Sequence, residues 1–118
     1  MSARFELVLD PSGKFHFQLR GAKGQVLLQG LACDGKIAAQ TEVQHVRKAL
    51  QDPDLVVDHD AKDGTHFLVV KDHDGSVLAR SPHLAAEALS TLRLEVAITA
   101  EKAPLIDLSK HRAHHAAH

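Results

Sequence analysis

The sequence predicts an α+β fold in which two tandem β-β-β-α units share a single antiparallel sheet, with both helices on one face. Three observations lead there. Phe15, Phe17 and Leu19 alternate with Lys14, His16, Gln18 and Arg20, the period of two of a strand with one apolar and one wet face. Ala39, Val43, Val46 and Leu50 recur at spacings of four, three and four, the buried stripe of a helix. Gly13, Gly24, Val26, Leu27 and Pro53 return 51 positions later as Gly64, Gly75, Val77, Leu78 and Pro104. Self-similarity at a fixed offset marks a repeated supersecondary unit.

The first unit is predicted over residues 1–53. Phe5, Leu7 and Leu9 alternate with Glu6, Val8 and Asp10, which gives a strand over 4–10. Asp10-Pro11-Ser12-Gly13 turns the chain into a strand over 14–20, and Gly21-Ala22-Lys23-Gly24 turns it again into a strand over 25–29. Asp34 is positioned to offer its carboxylate to the free N–H groups of a helix over 36–50, which Pro53 ends. The second unit, 54–109, repeats the order with strands over 55–60, 66–71 and 76–80. Ser81 and Pro82 open a helix over 82–99 with Ala85, Leu89, Leu92 and Val96 inward, and 105–108 is a short closing strand. Residues 110–118 read as a flexible, His-rich tail. One register stays open. The 51-residue offset puts His66 where Phe15 sits and so faces it to the core, whereas a slip of one residue turns Phe67 and Val69 inward instead. A lone unit has a thin core and open sheet edges, so two units sharing one sheet give a two-layer sandwich.

Composition bounds the function. At 118 residues, 44% hydrophobic and 25% charged, the chain suits one domain or two very small ones of an ordinary soluble protein. No apolar run reaches the roughly 20 residues of a membrane helix, and Met1-Ser2-Ala3-Arg4-Phe5-Glu6 lacks the apolar core of a secretion signal. Cys33 is the one cysteine, which excludes an internal disulfide and fits a reducing cytoplasm. A net charge of -1 argues against general nucleic-acid binding. The charge is uneven: residues 1–50 carry seven Lys or Arg against four acids, residues 51–118 seven against eleven.

The strings Phe5-Glu6-Leu7, Gly13-Lys14-Phe15-His16-Phe17-Gln18-Leu19-Arg20, Gly24-Gln25-Val26-Leu27, Lys36-Ile37-Ala38-Ala39 and Val43 to Lys48 resemble the YegP-like family of small bacterial proteins of unknown function. The resemblance covers about residues 4–109, strongly in the first unit and weakly in the second. It implies a three-strand, helix, strand unit doubled into one sheet, with closing strands exchanged between units. The family's aromatic before the helix is Cys33 here, and the second unit lacks the F-x-F signature. The family brings no reaction, cofactor or catalytic residue.

Ten histidines raise the question of metal. In the tail His111 and His115, and His114 and His118, stand four apart, the spacing that puts ligand pairs on neighbouring faces of a helix, and imidazole suits zinc, copper or nickel. Asp58-x-Asp60-x-x-Asp63-Gly64 has only a faint calcium-loop pattern, with Val69 where a bidentate glutamate belongs. It stands about 20 Å from Asp72-His73-Asp74 along a strand, so both groups read as solvated turns. Cys33 precedes a helix N-terminus, a setting that can activate a thiol, though such a residue is more often a small half-buried apolar group. No phosphate loop, nucleophile elbow or paired CxxC is present, so no enzyme and no cofactor is expected.

The functional expectation is a non-enzymatic binding or accessory module with a protein partner. Its surface is the wet sheet face, where His16, Gln18 and Arg20 would project beside Glu6, Gln25 and Gln29. Plain solvent exposure explains the same polarity. Two alternatives come from other residues: transition-metal binding through His111, His114, His115 and His118, and single-stranded nucleic-acid binding on the sheet through Phe15 and Phe17. The second conflicts with Leu19 sharing their face, and with the absence of Trp and Tyr. A monomer in which the units pair as a pseudo-dimer, or a homodimer through free sheet edges, completes the expectation.

Overall fold

A computed structural model describes residues 2–109. Its elements run β1 (Arg4–Leu9), β2 (Phe15–Arg20), β3 (Val26–Gly30), α1 (Lys36–Ala49), a 3₁₀ turn at Pro53–Leu55, β4 (Val56–Asp60), β5 (His66–Lys71), β6 (Val77–Arg80), α2 (Ala86–Lys102) and β7 (Leu105–Asp107). The seven strands form one sheet in the order β4-β5-β6-β3-β2-β1-β7. Five neighbouring pairs are antiparallel, but β7 runs parallel to β1, so the sheet is mixed rather than wholly antiparallel as expected. The reason is the route of the chain. β6 and β1 run in opposite directions across the sheet, and after α2 the chain returns against the direction of β6, which lays β7 parallel to β1. Exchange of closing strands is also one-sided: after α1 the 3₁₀ turn leads straight into β4, which is the far edge of the sheet.

Turn chemistry sets the hairpins. Gly13 (φ +88°) and Gly64 (φ +85°) adopt the left-handed conformation that closes the β1–β2 and β4–β5 turns, a conformation cheap only for glycine. The Asp10 carboxylate accepts from the Ser12 and Lys14 N–H groups, as Asp63 does from that of Thr65.

Two bulges place the core. Leu19 faces Leu28 while Arg20 faces Val26, which leaves Leu27 as the extra residue. Val70 faces Ala79 while Lys71 faces Val77, which leaves Leu78. An extra residue bends the strand and re-aims side chains, so adjacent residues both turn inward, Leu27 with Leu28 and Leu78 with Ala79. That accounts for the unbroken apolar runs in β3 and β6. Phe5, Phe17, Leu19, Leu28, Leu68 and Val70 meet Val43 and Val46 of α1 and Leu92 and Val96 of α2 in one cluster. Burying each such side chain is worth about 2 kcal/mol. The Phe5 and Phe17 rings lie 5.9 Å apart at 60°, and the Arg47 guanidinium covers Phe5 at 4.7 Å.

Both helix starts differ from expectation. Gly35 is the N-cap of α1 and no side chain caps it, because Asp34 is drawn into an ion pair with Lys14 instead. The second helix begins at Ala86 rather than residue 82 and runs to Lys102. Residues 81–84 stay extended along β5. The Ser81 N–H donates to the Leu68 carbonyl, the Leu68 N–H donates to Ser81 Oγ, and Leu84 and His66 exchange two backbone bonds of 2.7 Å. Ser81 therefore caps nothing, and Ala85 is exposed at the new helix boundary.

The open register resolves to the full 51-residue offset. Leu68 and Val70 face the helices, and His66 lies on their side at the strand's end. No charge is trapped there, since the His66 side chain keeps 28% exposure and its Nδ1 sits 2.7 Å from Asp60 Oδ1. Phe67 turns to the opposite face.

Candidate functional site

The helices cover one face of the sheet and leave the other open. A single cross-strand row spans that open face: Ile106 beside Glu6, then Gln18, Gln29, Arg80, Val69 and Val57. It is polar on β1, β2, β3 and β6 and apolar on β5 and β4.

Glu6 anchors the polar side. It is 6% exposed, and its carboxylate accepts from Arg4 Nε (2.8 Å), Gln18 Nε2 (2.9 Å) and Arg20 Nε (2.7 Å). Burial alone would raise its pKa, but the bonds from Arg20, Gln18 and Arg4 outweigh it and hold the carboxyl below the usual glutamate range. Arg20 also donates to the Gly24 carbonyl at 2.6 Å. Of the residues expected on this surface, His16, Gln18 and Arg20 lie on it, paired across β1 with Val8, Glu6 and Arg4. Gln29 joins them, exposed. Gln25 does not, for its amide turns to Glu95 of α2.

Sequence reasoning missed two features here. The first is Arg80. Arg4, Arg20 and Arg93 pair with carboxylates and Arg47 donates to the Ala100 carbonyl, but the exposed Arg80 guanidinium has no hydrogen bond or ion pair to any described residue. It stands at the seam between β3 and β6, which are joined through only two residue pairs, Gln29–Arg80 and Gly30–Ala79. A recess of about 440 Å³ opens there, lined by Val26, Gln29, Leu31, Arg80 and Pro82. The second is a ladder of three rings. Phe67 stacks on His59 (5.5 Å, 28°) and on His83 (4.9 Å, 13°), and the buried His59 Nε2 has no hydrogen-bond partner among the described residues. The 51-residue offset holds the signal for the ladder, since it maps Val8, His16 and Ala32 onto these three residues.

The other candidates separate. Asp58 pairs with Arg93 of α2, Asp60 with His66, and Asp63 accepts from Thr65, so each of these carboxylates is engaged by a different partner. Among the described residues, no three His, Cys, Asp or Glu side chains gather in a way that could hold a metal ion. The metal site expected at His111, His114, His115 and His118 lies outside the described residues. Phe17 is 1% exposed beneath the helices and Phe15 shares its face, the inward placement that their alternation with Leu19 predicts. No helix among the described residues is long and apolar enough to cross a membrane.

Cys33 is half-buried, and burial raises its thiol pKa, with Glu42 and Asp34 adding to the rise. The helix start does not activate it. Alkylation at neutral pH should therefore run slower than that of a free peptide thiol; an equal or faster rate would contradict this placement.

No family model matches the sequence. A UPF0339 protein of Pseudomonas aeruginosa is 31% identical over 88 residues, which cover 75% of this chain and 80% of that one. A UPF0339 protein of Treponema denticola is 34% identical over 56 residues, 48% of this chain and 97% of that one. Two solution NMR structures share the fold. The protein of unknown function yegP from E. coli matches with a TM-score of 0.85 at 20% identity, over 92% of this chain and 94% of that one. A UPF0339 protein from Shewanella oneidensis matches with a TM-score of 0.86 at 22% identity, over 98% and 99%. The Pseudomonas relative, matched over four-fifths of its length, makes the chain a member of the UPF0339 family, the YegP-like proteins whose function is unknown.

Proposed function

We propose that the protein is a non-enzymatic binding module built from a duplicated unit, with the open sheet face as its contact surface. The carrying observation is that face itself: an uncovered seven-stranded surface whose central row leaves Gln29 and Arg80 exposed and unpaired among the described residues. Solvation alone would be served by any scattered polar set. Here one carboxylate is neutralised by two guanidiniums while a further guanidinium, three strands along the same row, is left over, so the surface is biased toward an anionic contact. The recurrence of both bulges at the same offset supports the duplication. So does the Treponema relative, nearly all of which matches about half of this chain.

The test is affinity capture from bacterial lysate with the full chain, followed by identification of retained proteins and small molecules. His16→Ser/Gln29→Ser alters the open face, and Thr41→Ser/Gln44→Ser alters an exposed part of α1 as control. The expected result is retention lost with the first pair and kept with the second. Retention unchanged by the first pair, or nothing retained by the wild type, would overturn the reading.

A further inference from the structure

We propose that the recess at the β3–β6 seam is a binding site for a small organic carboxylate, one carboxylate on a short aliphatic chain. The inference rests on the recognition face described above and names the ligand chemistry of its centre. Arg80 supplies the charge. A guanidinium offers five N–H donors in a planar fork that fits a carboxylate with two parallel bonds, and this one has no described partner to compete. Its cross-strand neighbour Gln29 adds an amide donor that is also unspent. The walls supply the rest. Val26, Leu31 and Pro82 are apolar, and Leu31 is 46% exposed, so the surface that an aliphatic chain would cover lies beside the charge. Such a pairing of one cation with an apolar wall suits an organic acid better than inorganic phosphate, which has no apolar part to bury.

The size points the same way. About 440 Å³ falls in the range of small-molecule sites, whereas a stable protein contact needs about 800 Å² on each side. The sheet explains why the space exists. The β3–β6 ladder stops after two residue pairs, so the strands part beyond Gly30 at one end and beyond Arg80 at the other, where Leu31 and Pro82 line the space left open. Elsewhere on the face the guanidiniums of Arg4 and Arg20 are held by Glu6.

The test is an NMR titration of the ¹⁵N-labelled full chain with sodium butanoate, with inorganic phosphate and a glutamate-containing tetrapeptide as comparison arms. The expected result is saturable shifts at Gln29, Leu31 and the Arg80 Nε–H with butanoate. Arg80→Gln should weaken binding by about tenfold or more, with Arg80→Lys between the two. Arg80 is exposed, so either variant should keep the wild-type spectrum away from the seam. Shifts elsewhere, equal affinity in Arg80→Gln, or saturable binding of phosphate or peptide but not butanoate would overturn the inference. Lysate capture separates this from the broader reading. Capture that needs His16 and Gln29 while butanoate leaves the seam unmoved sinks the carboxylate site alone. Butanoate binding at Arg80, with capture indifferent to the face, sinks the broader reading alone.

Discussion

Gly30→Ala should lower stability by about 3 kcal/mol, read as a drop in denaturant midpoint with little change in slope. The cause is one ring. A Cβ on Gly30 would sit inside the Phe17 side chain, 2.8 Å from Cζ and closer still to Cδ2 and Cε2. The register makes this unavoidable, because Gln18 faces Gln29 and so Phe17 lies across from Gly30 on the helix side. Phe17 cannot swing clear. It is 1% exposed, wedged against Phe5 and beneath the helices. The backbone at Gly30 has no positive φ, so the cost is steric and not conformational. Phe17→Leu alone removes part of the core, at about 1 kcal/mol or more. In the double variant Phe17→Leu/Gly30→Ala the smaller side chain admits the methyl, so the combined loss should fall short of the sum of the single losses. Additive losses, or a Gly30→Ala protein as stable as wild type, would refute the packing described.

Glu6→Gln should cost about 2 kcal/mol at neutral pH and flatten the acid limb of the stability curve. The substitution keeps the shape and removes the charge that holds two guanidiniums at 2.8 and 2.7 Å. The sign follows from the lowered carboxyl pKa. A folded-state pKa below the unfolded value means that the unfolded chain binds the proton more readily. The contribution is present in full above the unfolded value of about 4.3 and is lost as the pH falls through the folded value. Wild type therefore weakens on acidification more steeply than Glu6→Gln. The limb does not vanish in the variant. Asp107, whose own burial opposes ionisation, is still lowered by bonds from Ser109 and Lys36. Thermal unfolding at a series of pH values from 7 to about 3 measures both effects, at roughly 4 °C per kcal/mol. Parallel curves for the two proteins would show that Glu6 is not the titrating group.

The elements legible in the sequence were those written in period. Phe15-His16-Phe17-Gln18-Leu19 could be only a half-buried strand, and Ala39, Val43 and Val46 fixed the inner face of α1. The start of α2 is not legible because Ser81-Pro82 has the composition of a helix cap, while the bonds from Ser81 and Leu84 to β5 that keep 81–84 extended are tertiary. The role of Asp34 is hidden for a similar reason, as Lys14 is twenty residues away in sequence. On the open face, His16, Gln18 and Arg20 follow from alternation alone. Arg80 does not. Its position depends on β6 lying next to β3, and no local pattern encodes which strands become neighbours.

The parallel pairing of β7 with β1 also has a bearing on biosynthesis. The outer border of β1 stays without its mate until residues 105–107 have been made, roughly one hundred residues later. Throughout that interval Phe5 and Leu7 belong to a nascent chain whose flank is available to any passing strand. A chain cut short before Leu105 would thus keep six strands and leave the flank of β1 adhesive.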